Sequence, residues 1–110
     1  GSATKLNDAK ETFFIKQLLG EYAYAVPVSS IKSMLGHGQG AAGIFEAIAC
    51  VLSFQHNLLY PTIHYETPDP QCDLDYIPNQ ARACRVDTIM SNAFGIGGNN
   101  AIVIFERWQD

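Results

Sequence analysis

Charge is what this sequence has least of. Asp, Glu, Lys and Arg make up 16% of its 110 residues, hydrophobic residues make up 47%, and the balance is a net charge of −4. An acidic chain with so few cations does not present the basic face that a nucleic-acid backbone requires, so no nucleic-acid partner is expected. Cysteine is also sparse: Cys50, Cys72 and Cys84 are odd in number and without C-x-x-C spacing. That excludes a disulfide framework and a zinc ribbon, no metal site is expected, and a reducing, cytoplasmic compartment is the simpler inference. No apolar run is long enough to cross a bilayer, and the N-terminus lacks a signal peptide's basic and apolar regions, so no membrane attachment is expected. Repeats, low-complexity tracts and linkers are absent as well, which predicts a single domain over 1–110. With apolar residues so abundant, part of that apolar surface is expected to meet another segment or subunit.

What is present is concentrated in residues 32–46. Lys32, His37 and Glu46 lie there among small and apolar neighbours, and charge-capable groups are seldom buried unless paired or used. Three readings compete. Gly38, Gly40 and Gly43 fit G-x-G-x-x-G, a pyrophosphate-binding pattern, although Gly36–His37 precede it in place of an apolar strand. The glycines and alanines could instead serve only close helix packing, with His37 a satisfied loop histidine. The third reading is an active-site loop feeding a buried helix. Lys32 and His37 then precede a positive helix end, Glu46 takes Lys32 as its nearest cation, and His37 donates a hydrogen bond to an oxyanion.

In chain order, a helix is predicted over 8–19, capped by Asn7 or Asp8 and ended by Gly20, with Phe14 and Leu18 on one face. Residues 23–30 read as a short strand demoted by Pro27. A second helix, from 40 or 41 to 53 or 54, is apolar nearly all round and is expected to be buried, with Cys50 as packing. Four of the five prolines fall in 61–78, too many for continuous secondary structure. His64 there matches no zinc spacing with His37 and Cys72. Residues 85–93 and 100–107 read as an antiparallel pair joined by a glycine-rich turn, with Ile102 to Phe105 buried on both faces.

The string Lys-Ser-Met-x-Gly-His-x-x-Gly-Ala-Ala-Gly-x-x-Glu-Ala at 32–47 resembles the second-histidine motif of the β-ketoacyl-acyl-carrier-protein synthases, the thiolase-fold condensing enzymes. Pro61–Thr62–Ile63, Pro68–Asp69 and the run from Cys72 to Pro78 are similar to the segment that follows it in that family. The run from Ser91 to Ala101 is similar to the family's terminal Gly-rich loop. Residues 1–4 resemble the end of its His-Gly-Thr-Gly-Thr motif. Thr4 stands at the last threonine, while Ser2 and Ala3 depart from the usual pair, and Gly1–Ser2 also reads as a cloning remnant. The resemblance covers essentially the whole chain, with the motifs in order.

The resemblance implies an α/β fold, a mixed sheet with packed helices, as in the C-terminal half of a thiolase-like fold. It implies a 3-oxoacyl-acyl-carrier-protein synthase, an acyltransferase of decarboxylative condensation, with His37, Lys32 and Glu46 as catalytic residues. Phe94, Gly95, Ile96, Gly97 and Gly98 form the oxyanion and gating loop; Ile96 stands where phenylalanine is typical and Asn99 where threonine is typical. Ser2 and Thr4 are candidate pantetheine contacts, and Asp8 and Glu11 a supporting network, although a helix cap accounts for Asp8 locally. No covalent cofactor is implied: the phosphopantetheine arm of the acyl carrier protein brings the substrate. The partners implied are that carrier protein and a second copy, in a homodimer formed mainly through residues upstream of Gly1. The nucleophilic cysteine and first histidine are expected upstream too, so the fragment alone would be inactive. A noncatalytic relative, either a chain-length or scaffold partner or a polyketide ketosynthase that passes acyl chains on without extending them, stays open beside the enzyme.

Overall fold

The structure, a computed structural model, describes residues 1–2, 4–95 and 97–109. They form two compact units, each built from two stretches of chain: 1–37 with 60–81, and 38–59 with the residues from 82 onward.

The first unit opens with α1 (Asn7–Leu19), which ends where Gly20 takes φ 56° and donates its N–H to the Lys16 carbonyl. Its start differs from the expectation. Leu6 occupies the cap position without a side-chain bond, and Asn7 lies inside the first turn. From there its amide donates to the adjacent Asp8 (3.0 Å) and to Glu11 (3.3 Å), the latter because side chains one turn apart on a helix face each other. Thr12 is the buried residue of α1, its hydroxyl 2.5 Å from that of Tyr76, whereas Phe13, Phe14 and Leu18 are exposed. The strand expected over 23–30 does not form. A 3-10 turn (Gly20–Ala25) takes its first half, Pro27 has no N–H to offer, and the Val28 N–H goes to the Asp75 carbonyl (2.8 Å). A four-residue helix, α2 (Lys32–Leu35), follows.

The proline-rich return of this unit is irregular, as expected, with a single parallel bridge between Thr62 and Pro78 among the described residues. Polar side chains do the work of a ladder there. Asn79 donates its N–H to the Thr62 carbonyl (2.9 Å), accepts from the Tyr65 N–H (2.9 Å) and donates to the Tyr65 carbonyl (2.8 Å). Leu74 and Ile77 of this segment are buried.

The second unit holds α3 (Ala42–His56), entered through a 3-10 turn (Gln39–Ala41) and ended by Asn57 in the left-handed region, a conformation that asparagine tolerates. The helix packs on β1 (Leu58–Leu59) and β3 (Thr88–Phe94). β1 pairs antiparallel with β2 (Arg82–Ala83), and β3 with β4 (Asn100–Glu106), in a register that sets Thr88 opposite Glu106 and Phe94 opposite Asn100. Neither β1 nor β2 was foreseen, since two residues carry no periodicity.

Burial in this unit departs from expectation. α3 buries Cys50 and Ser53 but exposes Ile44, Phe45, Ile48 and Val51, and β4 exposes Ile102, Val103 and Ile104. α3 packs on β3 and not on β4, whose strong neighbour in its own unit is β3 alone, so the consecutive residues Ile102, Val103 and Ile104 stay open on both faces. Helices with mixed β-pairing make the chain α/β. Among the described residues, no helix is long and apolar enough to cross a membrane.

Candidate functional site

In the first unit the site residues gather at two places. At the chain start the Ser2 and Thr4 hydroxyls lie 2.9 Å apart, and the Gly1 nitrogen lies 3.1 Å from Asp8 Oδ1 and 3.7 Å from Glu11 Oε2. At Asp8, burial works to raise the carboxyl and the hydrogen bond from the Asn7 amide to lower it.

The second place is α2. Lys32 opens this helix where a loop was expected, and Gly36 closes it at φ 75° by donating its N–H to the Lys32 carbonyl (2.9 Å). His37 follows at once and is exposed. The turn is fastened by two hydroxyls. Ser33 Oγ donates to the Ser30 carbonyl (2.9 Å) and accepts the Ile63 N–H (3.0 Å), and Thr62 Oγ1 accepts the Ser30 N–H (3.2 Å). Because a helical turn and not a strand leads toward Gly38, the G-x-G-x-x-G pattern lacks the context a dinucleotide site needs.

In the second unit, Gly38 lies where a Cβ would come within 2.7 Å of the Phe45 ring, so the small residue lets the chain pass α3 closely. Glu46, on the first turns of α3, accepts a hydrogen bond from Ser91 Oγ of β3 (3.3 Å). Four residues on, burial and then the Glu46 charge push the Cys50 thiol up, which disfavours the thiolate and suits a packing role. Asn92 Oδ1, beside Ser91, is buried without a hydrogen-bond partner among the described residues. The tip between β3 and β4 is closed by the Gly95 N–H to the Asn99 carbonyl (2.7 Å) and the Gly98 N–H to the Gly95 carbonyl (3.3 Å). Gly97 (φ 89°) and Gly98 (φ 83°) adopt a backbone that side chains disfavour. Phe94, at the end of β3, is exposed. Ile96, the expected oxyanion amide, lies outside the described residues.

Lys32 and His37 thus stand on one turn of the first unit, and Glu46 stands with the glycine-rich tip in the second. Sequence reasoning missed Ser33, Thr62 and Ser91. Ser33 was within the quoted motif, but its bond to Ile63 spans thirty positions and has no local signal. Among the described residues, no group of three or more His, Cys, Asp or Glu could hold a metal ion.

Residues 1–66 match the family model described as beta-ketoacyl synthase, C-terminal domain. The tetracenomycin polyketide synthase ketoacyl synthase alpha subunit of Streptomyces glaucescens is 52% identical over 107 residues, 97% of this chain and 25% of that protein. The 3-oxoacyl-[acyl-carrier-protein] synthase 2 of Synechocystis sp. is 50% identical over 109 residues, 99% of this chain and 26% of the relative. The chain therefore spans about a quarter of the length of the curated relatives it matches. Among solved structures, a type II polyketide synthase ketosynthase, in complex with its acyl-carrier protein and bound to the hexaketide, superposes with a TM-score of 0.95 at 40% identity. That match covers 99% of this chain and 27% of the other. The ishigamide ketosynthase/chain length factor superposes with a TM-score of 0.93 at 38% identity, over 99% and 27% of the two chains. The α/β fold is accordingly part of the C-terminal half of the thiolase-like fold of these ketosynthases.

Proposed function

Since the chain belongs to the beta-ketoacyl synthase family, to whose C-terminal domain it corresponds, we propose that it serves a 3-oxoacyl-acyl-carrier-protein synthase in decarboxylative condensation. The substrates in this reading are an acyl thioester on a cysteine upstream of Gly1 and malonyl carried on the phosphopantetheine arm of an acyl carrier protein. The carbon–carboxylate bond of malonyl breaks, carbon dioxide leaves, and the electron pair passes to an enolate whose carbon attacks the acyl thioester. The cysteine sulfur departs as the new carbon–carbon bond forms.

Negative charge builds first on the malonyl thioester oxygen, and His37 is the donor assigned to it, together with the first histidine upstream. Lys32 and Glu46 are assigned with His37 as catalytic residues. The amide of Ile96 is assigned to the oxyanion on the acyl side, Phe94 and Gly95 to Gly98 to the gating loop, and Ser2 and Thr4 to the pantetheine arm. We further assign 1–110 to one domain of a cytoplasmic homodimer. The observation that carries the reading is the intact Lys32, His37 and Glu46 within a motif that also sets the α2 turn directly before His37.

A second reading, a noncatalytic chain-length partner, is favoured by Ser2 and Ala3 at the chain start and by the likeness to a ketosynthase/chain length factor. Malonyl decarboxylation and condensation, assayed on the complete subunit with His37→Ala, separate them. The enzyme reading expects a loss on the order of a hundredfold or more; retained condensation removes His37 from its role. Absence of a cysteine nucleophile upstream would leave the scaffold reading.

A further inference from the structure

We infer that Ser33 is a positioning residue: its hydroxyl, with that of Thr62, holds the α2 turn so that His37 meets the malonyl thioester in the correct orientation. This rests on the role proposed for His37. The observation behind it is a hydrogen-bonded chain within one unit. Ser33 Oγ both donates and accepts, joining the Ser30 carbonyl at the entry of α2 to the Ile63 N–H (2.9 and 3.0 Å). One residue away, Thr62 Oγ1 takes the Ser30 N–H at 3.2 Å. Thr62 is itself fixed, its N–H donated to the Ile77 carbonyl (3.0 Å) and its carbonyl accepting the Asn79 N–H (2.9 Å).

A helix of four residues has too few internal bonds to hold its own direction, since nucleation alone is unfavourable. Its orientation must come from outside, and the two hydroxyls supply it from the 62–63 segment. From Ser33 the constraint runs through the Gly36 N–H on the Lys32 carbonyl to His37, four residues on. Removing the Ser33 hydroxyl leaves the half-buried Ile63 N–H without its acceptor, and the turn can then shift. A misplacement of about 1 Å at a reacting group can cost on the order of a hundredfold in rate.

The test uses the complete synthase and reads two half-reactions separately: acyl loading of the cysteine, which does not use His37, and malonyl decarboxylation with condensation, which does. Ser33→Ala is expected to slow the second on the order of tenfold to a hundredfold and to leave the first within about twofold. Ser33→Thr, which keeps the hydroxyl, is expected to recover most of the loss. Thr62→Val is expected to act on the same step, and the double variant to lose less than the product of the single losses, as coupled residues do. Parallel loss of both half-reactions, or condensation within twofold of wild type in Ser33→Ala, would overturn the inference. His37→Ala run alongside separates the two failures. If that variant keeps condensing, the function proposed above fails; if it stops while Ser33→Ala continues, only the positioning role does.

Discussion

The two units reach order by different means. The second is periodic: a fifteen-residue helix packs on an antiparallel hairpin of two seven-residue strands, so its backbone groups are paired by repetition. The first has a thirteen-residue helix, then largely non-repeating backbone over 26–31 and 60–81, closed by side-chain groups such as those of Thr12, Ser33, Thr62, Asn79 and Tyr76. A repetitive ladder spreads stability over many equivalent bonds. A latch concentrates it in a few atoms whose loss leaves a buried polar group unpaired.

The comparison is sharpened first by a side-chain tie in the periodic unit. Arg107 donates to the Asn57 amide oxygen (2.7 Å) and the Val86 carbonyl (3.1 Å), and its guanidinium lies 5.4 Å from the Phe54 ring centroid. Arg107→Ala in the complete subunit is expected to cost about 3 kcal/mol in denaturant unfolding, with Arg107→Lys restoring part of it, because an ammonium cannot reproduce the fork. If the cost is below about 0.5 kcal/mol, the ladder alone holds that unit.

Thr12→Val is the matching test in the latched unit, expected to cost about 2 kcal/mol by stranding the Tyr76 hydroxyl, with Tyr76→Phe added to it recovering most of the loss. The same pair carries a pH signature. Burial lifts the Tyr76 hydroxyl above its ordinary value, against the opposing Thr12 hydrogen bond. A group raised on folding contributes stability that is complete below its unfolded value, about 10 for tyrosine, and is lost as pH rises through the raised one. Melting temperature should therefore fall more steeply on the alkaline side in wild type than in Tyr76→Phe.

Gly97→Ala is expected to cost about 1 kcal/mol through backbone strain, measured by the same unfolding curves. The smallest effect is expected for Lys16→Ala, which removes a surface ion pair with Asp73. The hydrogen bond from Lys16 holds the Asp73 carboxyl below its ordinary value, so its contribution is present above the usual carboxylate range and fades as pH falls through the lowered value. Salt should shrink the difference between Lys16→Ala and wild type further; an effect that persists in high salt would contradict a surface pair.

The same contrast explains what could be read from residues alone. α1, α3 and the β3–β4 hairpin carry helical or alternating patterns and end at Gly20, Asn57 or a glycine-rich tip, so they were legible within a few residues. The 23–30 segment was not, because its apolar content signalled a strand while the partner of Val28 is the Asp75 carbonyl, nearly fifty positions away. Burial on both faces of β4 was misjudged because periodicity reports which residues are apolar and not whether a second layer covers them. At the site, the motif named Lys32, His37 and Glu46, yet Ser33 and Ser91 owe their roles to pairings that only the folded chain creates.

The tip between the last two strands carries a stereochemical consequence. At Gly97 and Gly98, apart from each glycine and its chain neighbours, no atom of the described residues lies within 4 Å of where a Cβ would sit, so the demand on these positions is torsional and not spatial. Mirror-image amino acids favour that half of the torsional map. A D-alanine introduced at Gly97 by chemical ligation should therefore preserve the turn, and even stiffen it, where its L counterpart would distort it.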